Sequence, residues 1–489
     1  MVLEEFLQEA DERLDRKSIE EIQEFLESLE VEYIEKFIDN EEVLAYIYYT
    51  KANHLSELLR LQYSDKEFSN KEEISEQTIY SLRLAIEYGS RSKLDKRFMA
   101  MILTNLANEL DNNGRFVEAI ETWNKVEKDL GILFPMAKGN KGLGLIFYAG
   151  FLYDEGHAHF LRRVAHKNLK YSSSIQGGVH PEAKRIFENN IETLESFYSE
   201  EFLNHFHEHP APDYGEDEKS YRKWCLDNIL FINPLNDATE NWICDTDVFG
   251  LPSITVPIDE TYPVYHSYFN QLKQEYVSAR WLLFESTLER SHFSDKEVLM
   301  YNTLDYQAFG LSTQKVRLAF KSIYSIFDKI SYFLNEYFNI GLDDRAISFK
   351  SIWYKNIRAS RLQIRDGINI ENNSPLKGLY WLSKDLFYKG DLEYRAVIEP
   401  DAKDLDIIRN KLEHKFISVY DSAFVGNSVD DGITDGELFN KTLKLMKLSR
   451  AALIYLSLSV HKEEQIKTNS RDKFALPINI PLFEDEWKN

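Results

Sequence analysis

The stretch DLDIIRNKLEHKF, residues 404–416, sets Arg409, Asn410 and His414 within two helical turns of one another. A guanidinium is a permanently charged planar ligand for phosphate oxygens. A histidine side chain takes and gives protons near neutral pH. An asparagine can hold a phosphate or orient the imidazole. Cleavage of a phosphoester without a metal needs a base, an acid and a cation over the pentacoordinate phosphorus, and these residue types can supply all three.

Chemistry requires the three groups to converge, which depends on the helix faces. At about 100° per residue, Leu405, Ile408, Leu412, Phe416 and Val419 form one apolar stripe, expected to pack inward. Ile407, Asn410, His414 and Ile417 fall on roughly the opposite side. Apolar residues beside a His and an Asn are unlike a plain solvated face, and a second copy of the same helix is the simplest thing for that side to meet. Arg409 lies at the edge between the two faces, so a long reach or a two-fold partner is needed to bring it to His414. Pro400 and Asp401 mark the start of this helix.

The elements around it are helical by period. TQKVRLAFKSIYSIFDKISYFLNEYF, from 313, puts Val316, Phe320, Ile323, Phe327, Ile330 and Leu334 on one stripe, with Asp328 off it beside Tyr324 and Tyr332. Helices near 376–388 and 435–464 complete an up-and-down bundle. Upstream, Leu103, Leu106, Ala107, Leu110, Gly114, Phe116, Ala119, Trp123 and Val126 fit the offsets of a tetratricopeptide repeat, with looser units before and after. Such pairs stack because one pair cannot bury its own apolar face. The middle, YRKWCLDNILFINPLNDATENWICDTDVFGLPSITVPIDE over 221–260, mixes aromatic anchors such as Trp224 and Trp242 with turns and a short β-like run, so it is expected to pack as a connector. The fold class is all-α for the most part. The expected organisation is repeat-like helices over 1–168, a connector with minor β over 169–310, a helical bundle over 311–465 and an extended tail over 466–489.

Arg409-NKLE-His414 resembles the R-x4-6-H signature of HEPN domains, helical bundles that include many metal-independent ribonucleases. The helix ending SIFDKISYFLNEYF is similar to the first long helix of that family, with Asp328 where an acidic partner for the motif often stands. YRKWCLDNILFINPLND, QLKQEYVSARWLLFES and GLYWLSKDLF resemble a bacterial subfamily that joins an N-terminal repeat region to a C-terminal HEPN domain. The resemblance implies a homodimeric endoribonuclease with a composite site built on Arg409, Asn410, His414 and Asp328. Its products would be 2',3'-cyclic phosphate and 5'-hydroxyl ends, it would need no cofactor, and its role would be phage defence or stress-induced growth arrest. It also implies a repeat region that binds a protein or peptide trigger. A non-catalytic adaptor that dimerises or binds RNA is the alternative, and for Asp328 a solvated or interface carboxylate fits equally well.

The net charge of −23 argues against indiscriminate nucleic-acid binding. The charge is uneven: residues 1–45 hold 16 acidic against 4 basic residues, whereas 345–365 holds six basic residues and no acid. That second stretch interleaves Arg345, Lys350, Lys355, Arg358, Arg361 and Arg365 with Phe349, Trp353 and Tyr354. Backbone tracking of RNA, tRNA included, with bases stacked on Trp353 is one reading. A solvated edge over buried aromatics is the other. His205, His207 and His209 alternate in HFHEH without a matching ligand set, so no metal is expected. GNKGLG lacks phosphate-loop spacing and reads as a helix-start turn. Two cysteines, an acidic start without a signal-peptide core, and a longest apolar run, AALIYLSLSV, about half a membrane span long point to a cytoplasmic chain free of membranes.

Overall fold

The computed structural model describes residues 3–62, 68–205, 209–257, 264–288, 292–299, 306–357, 359, 362–386, 398–425, 432–469 and 476. Helices α1 (Leu3–Arg16) and α2 (Ile19–Ser28) enclose a small core of Phe6, Ala10, Phe25, Leu29, Tyr33 and Ile47. Three helix pairs follow: α3 (Glu41–Leu61) with α4 (Phe68–Ser92), α5 (Lys96–Asn112) with α6 (Phe116–Lys128), and α7 (Pro135–Ala149) with α8 (Glu155–Ser174). This arrangement is consistent with repeats. Ala107 and Ala119, both fully buried, let α5 and α6 approach closely. Gly114 turns the chain between them at φ +78°, a conformation that L side chains rarely adopt.

GNKGLG is not a helix-start turn; it lies inside α7. Phe187, Leu169 and Trp123 occupy the space that side chains at Gly139, Gly142 and Gly144 would need. The glycines there serve close packing.

The connector holds α9 (Pro181–Phe197), α10 (Glu200–Asn204), α11 (Glu216–Asp227) and α12 (Leu235–Ala238). Its Cys225, Phe231 and Phe249 belong to the same core as the repeats and the bundle. Cys225 and Cys244 are buried free thiols, and burial pushes both up to about 12. The β-like run is a correction: among the described residues of 221–260 no strand forms, and the Thr255 N–H donates to Glu464 Oε2 at 3.0 Å. A short parallel pair forms further on, between β1 (Val419–Tyr420) and β2 (Ile433–Thr434).

The C-terminal part comprises α13 (Val264–Glu285), α14 (Leu311–Tyr337), α15 (Ser374–Ser383), α16 (Ala402–His414), α17 (Ser422–Val425) and α18 (Asp435–Asn469). AALIYLSLSV sits in α18 and is buried along its whole length, with α13, α14 and α15 packed around it. A helix that is apolar on all sides is an axis rather than a wall. The stripe expected on α14 is buried as read. Among the described residues no helix is long and apolar enough to cross a membrane.

One hydrophobic core runs from Ala45 to Val460, so repeats and bundle are not separate lobes. Their seam is charged. Arg83 and Arg115, from the repeat side, both grip the buried Asp385. Lys447 pairs with Glu121 at 2.8 Å and Arg450 with Asp237 at 2.6 Å, while Lys384 pairs with Glu72 and Glu76. The Gly114 turn lies against α15, where a Cβ on Gly378 would stand 2.3 Å from the Gly114 carbonyl oxygen.

Candidate active site

Helix α16 forms because Ala402, Leu405 and Ile408 give it a buried side, with Asp404 in its first turn and Lys411 and His414 in its last, as the helix dipole favours. It ends at His414: Lys415 is extended, at φ −141° and ψ −175°. The end of the helix corrects the expected faces. Phe416 leaves the core stripe and is 99% exposed, Val419 is buried on β1 rather than on the helix, and Ile417 is buried rather than facing outward. Asn410 and His414 are exposed, as is Ile407.

Arg409 is half-exposed and turned toward α14. Its guanidinium lies 4.8 Å over the Tyr324 ring and 3.5 Å from Asp328 Oδ2. That separation is longer than a tight charge-assisted bond, so an incoming phosphate oxygen can compete for the donor. Burial raises the Asp328 carboxyl above its usual range, against the opposing pull of Arg409 and the Phe349 N–H. Asn410 is held by Asp406, whose Oδ2 accepts from Nδ2 at 2.9 Å. Asp328 therefore stands with Arg409, while Asn410 and His414 lie around the helix from them.

Tyr324 and Asp406 were missed as supports. The i,i+4 spacings of Tyr324 to Asp328 and of Asp406 to Asn410 were the available signals.

The basic stretch divides. Its start comes to the motif: the Phe349 N–H reaches Asp328, the Tyr332 hydroxyl donates to the Asp344 carbonyl at 3.0 Å, and Arg345 is exposed there. Lys350 follows Phe349 directly. Two residues are corrections. Trp353 is fully buried and donates its indole N–H to the Phe349 carbonyl at 2.8 Å, so no base can stack on it. Arg365 spends its guanidinium on the carbonyls of Ser351, Ile352 and Tyr354, clasping the loop from within. Lys355 pairs with Asp366 at 2.7 Å. Arg358 and Arg361 lie outside the described residues, as does His207. Among the described residues no cluster of three or more His, Cys, Asp or Glu could hold a metal ion.

Beside the C-terminal end of α16 the surface is apolar. Phe416, Phe424, Leu318 and Phe309 are all more than half exposed. Two bonds tie their segments together: the Arg317 guanidinium donates to the Ile417 carbonyl at 2.9 Å, and the Ala308 N–H donates to the Val419 carbonyl at 2.7 Å. The rings of Tyr306 and Phe424 stack at 5.0 Å.

A bundle around a buried axial helix, with Arg and His on a flanking surface helix, agrees with the helical bundle that the resemblance leads one to expect. Residues 256–463 match the family described as LA2681-like HEPN. The matched stretch takes in α13 as well as α14 to α18. Neither a curated protein nor a solved structure matches the chain.

Proposed function

We propose that the protein is a metal-independent endoribonuclease of the HEPN type, acting as a homodimer in the cytoplasm. The observation that carries this reading is the exposed Asn410 and His414 beside an uncovered apolar surface, with Arg409 loosely tethered at the helix edge. Two copies pairing α16 through Phe416 and its neighbours would bury that surface and bring the guanidinium of one helix toward the imidazole of the other. In the cleavage step one His414 takes the 2'-hydroxyl proton as that oxygen attacks phosphorus. The bond from phosphorus to the 5'-oxygen breaks, and the partner's His414 returns a proton to the leaving oxygen. Arg409 and Asn410 hold the non-bridging oxygens, and Asp328 orients Arg409. Arg345 and Lys350 extend the track for the RNA backbone. The implied biological role is phage defence or stress-induced growth arrest, with the repeat region answering to a protein or peptide trigger.

The test is incubation of total RNA and tRNA with the full chain in EDTA, beside His414→Ala, followed by end-group analysis. Cyclic-phosphate ends that vanish in the variant support the proposal. Equal cutting by both removes His414 from the chemistry. The second reading, a non-catalytic dimerising or RNA-binding adaptor, draws on Arg409's turn toward α14 within one protomer. It predicts that any growth phenotype survives His414→Ala.

A further inference from the structure

Between α4, α5 and α6 of the repeats and α18 of the bundle lies a cleft of about 780 Å³. This is within the size range of small-molecule sites, roughly 300–1,000 Å³. One wall is apolar, with Met99, Leu103, Leu106 and Leu443. The other is charged. Lys125 at 44% and Lys447 at 26% are more exposed than Glu121 at 17%, and Lys444 at 37% is more exposed than Glu399 at 6%, whereas Asp401, the second partner of Lys444, is 40% exposed. Seven basic side chains, Lys125, Lys444 and Lys447 among them, and seven acidic ones line this recess beside the apolar wall, a balanced stretch in a chain of net charge −23.

The same cleft touches the root of the motif helix. Glu399, Pro400 and Asp401 line it and lead directly into α16. Lys444 holds Glu399 at 2.8 Å and Asp401 at 3.0 Å, and Lys441 holds Asp401 at 3.2 Å and Asp404 at 3.1 Å. From the repeat side, Arg83 bonds Asp385, the Ile398 carbonyl and Glu399. An anion that draws Lys444 away competes directly with the carboxylates that fix where α16 begins.

We propose that this cleft is a regulatory site for a small organic anion of nucleotide size with an aromatic or aliphatic body, coupled to α16 through Lys444. The body rests on the apolar wall and the anionic group on Lys125, Lys444 and Lys447. Binding loosens the hold on Asp401 and shifts the first turn of α16. The coupling rests on the ribonuclease reading only in that α16 carries the motif; binding and helix opening are measured without cleavage, so either idea can fail alone.

The probe is anilinonaphthalene sulfonate, which has an aromatic body and one sulfonate. It is titrated by fluorescence into the full chain carrying Phe416→Ser, which removes the most exposed competing apolar residue. One saturable site per chain is expected, weakened about tenfold or more by Leu443→Trp, which fills the cleft, and also by Lys125→Gln at an exposed position. Amide exchange over 402–408 should quicken when the probe is bound. Binding that ignores both substitutions, with melting unchanged, overturns the site. Should Leu443→Trp fail to fold, Lys125→Gln alone decides. Binding with no change in exchange over 402–408 overturns the coupling.

Discussion

Arg409, Tyr324 and Asp328 form a small unit whose behaviour follows from its distances. A guanidinium over an aromatic ring and 3.5 Å from a half-buried carboxylate is held in place and yet accessible. Arg409→Lys keeps the charge but loses the planar stacking and the fork, so cleavage should fall about as far as in Arg409→Ala, a hundredfold or more, at unchanged melting temperature. Retained activity in the lysine variant would mean that the charge alone suffices. The carboxyl of Asp328 has a folded-state pKa raised by burial, so its ionised form weighs against folding, and stability falls as pH rises through that pKa. Asp328→Asn should therefore melt no lower than wild type at pH 7, with the difference shrinking toward pH 3. A clear drop at pH 7 would show that the Arg409 contact outweighs desolvation. Trp353 separates the two readings of the basic stretch. Trp353→Ala should cost about 3–5 kcal/mol in denaturant unfolding, as deletion of a buried indole does. Arg345→Glu should weaken RNA binding and leave stability alone.

At the scale of elements, the helices were legible and their ends were not. The stripe on α14 and the repeat spacing over α5 and α6 could be read from period alone, because packing against one neighbour imposes one period. Phe416 was misplaced because α16 stops two residues before it, and the extended Lys415 redirects the chain. The glycines of α7 misled because glycine signals either a turn or a close approach, and only the presence of Phe187, Leu169 and Trp123 decides which. The partners of Asp385 were illegible for another reason: Arg83 and Arg115 are hundreds of positions away, and no local pattern records such a pairing. Gly114 and Gly378 test the contact between elements. Gly378→Ala places a methyl 2.3 Å from the Gly114 carbonyl oxygen, backbone against backbone, so α15 must move off the repeat turn. A loss of roughly 1–3 kcal/mol is expected from chemical denaturation. A neutral result would show that the turn can give way.

For the whole molecule, pH acts on the seam in both directions, since burial raises the Glu76 and Asp237 carboxyls there while two others are held down. Lys447 and Lys125 hold the Glu121 carboxyl down to about 2, against its burial, and Arg115 and Arg83 hold Asp385 well below the usual carboxylate range. A depressed carboxyl contributes stability above its unfolded pKa and loses it as pH falls through the folded one. Glu121 alone corresponds to about 3 kcal/mol, lost between roughly pH 4.5 and pH 2. Acid titration followed by tryptophan fluorescence should show cooperative opening in that window, moved to higher pH by Lys447→Gln. Sedimentation should show a dimer that Phe416→Ser turns to monomer at equal helicity. The one core from Ala45 to Val460 has a further consequence. Domains joined by flexible linkers can be traded between genes one at a time. Here Asp237, Asp385 and Gly378 each answer to a residue in another third of the chain, so an exchanged bundle would bring Arg450 and Asp385 without their partners and Gly378 without the turn it fits. Descent should therefore treat the chain from the first repeat pair to the end of α18 as one heritable block, with substitutions at the seam occurring in matched sets.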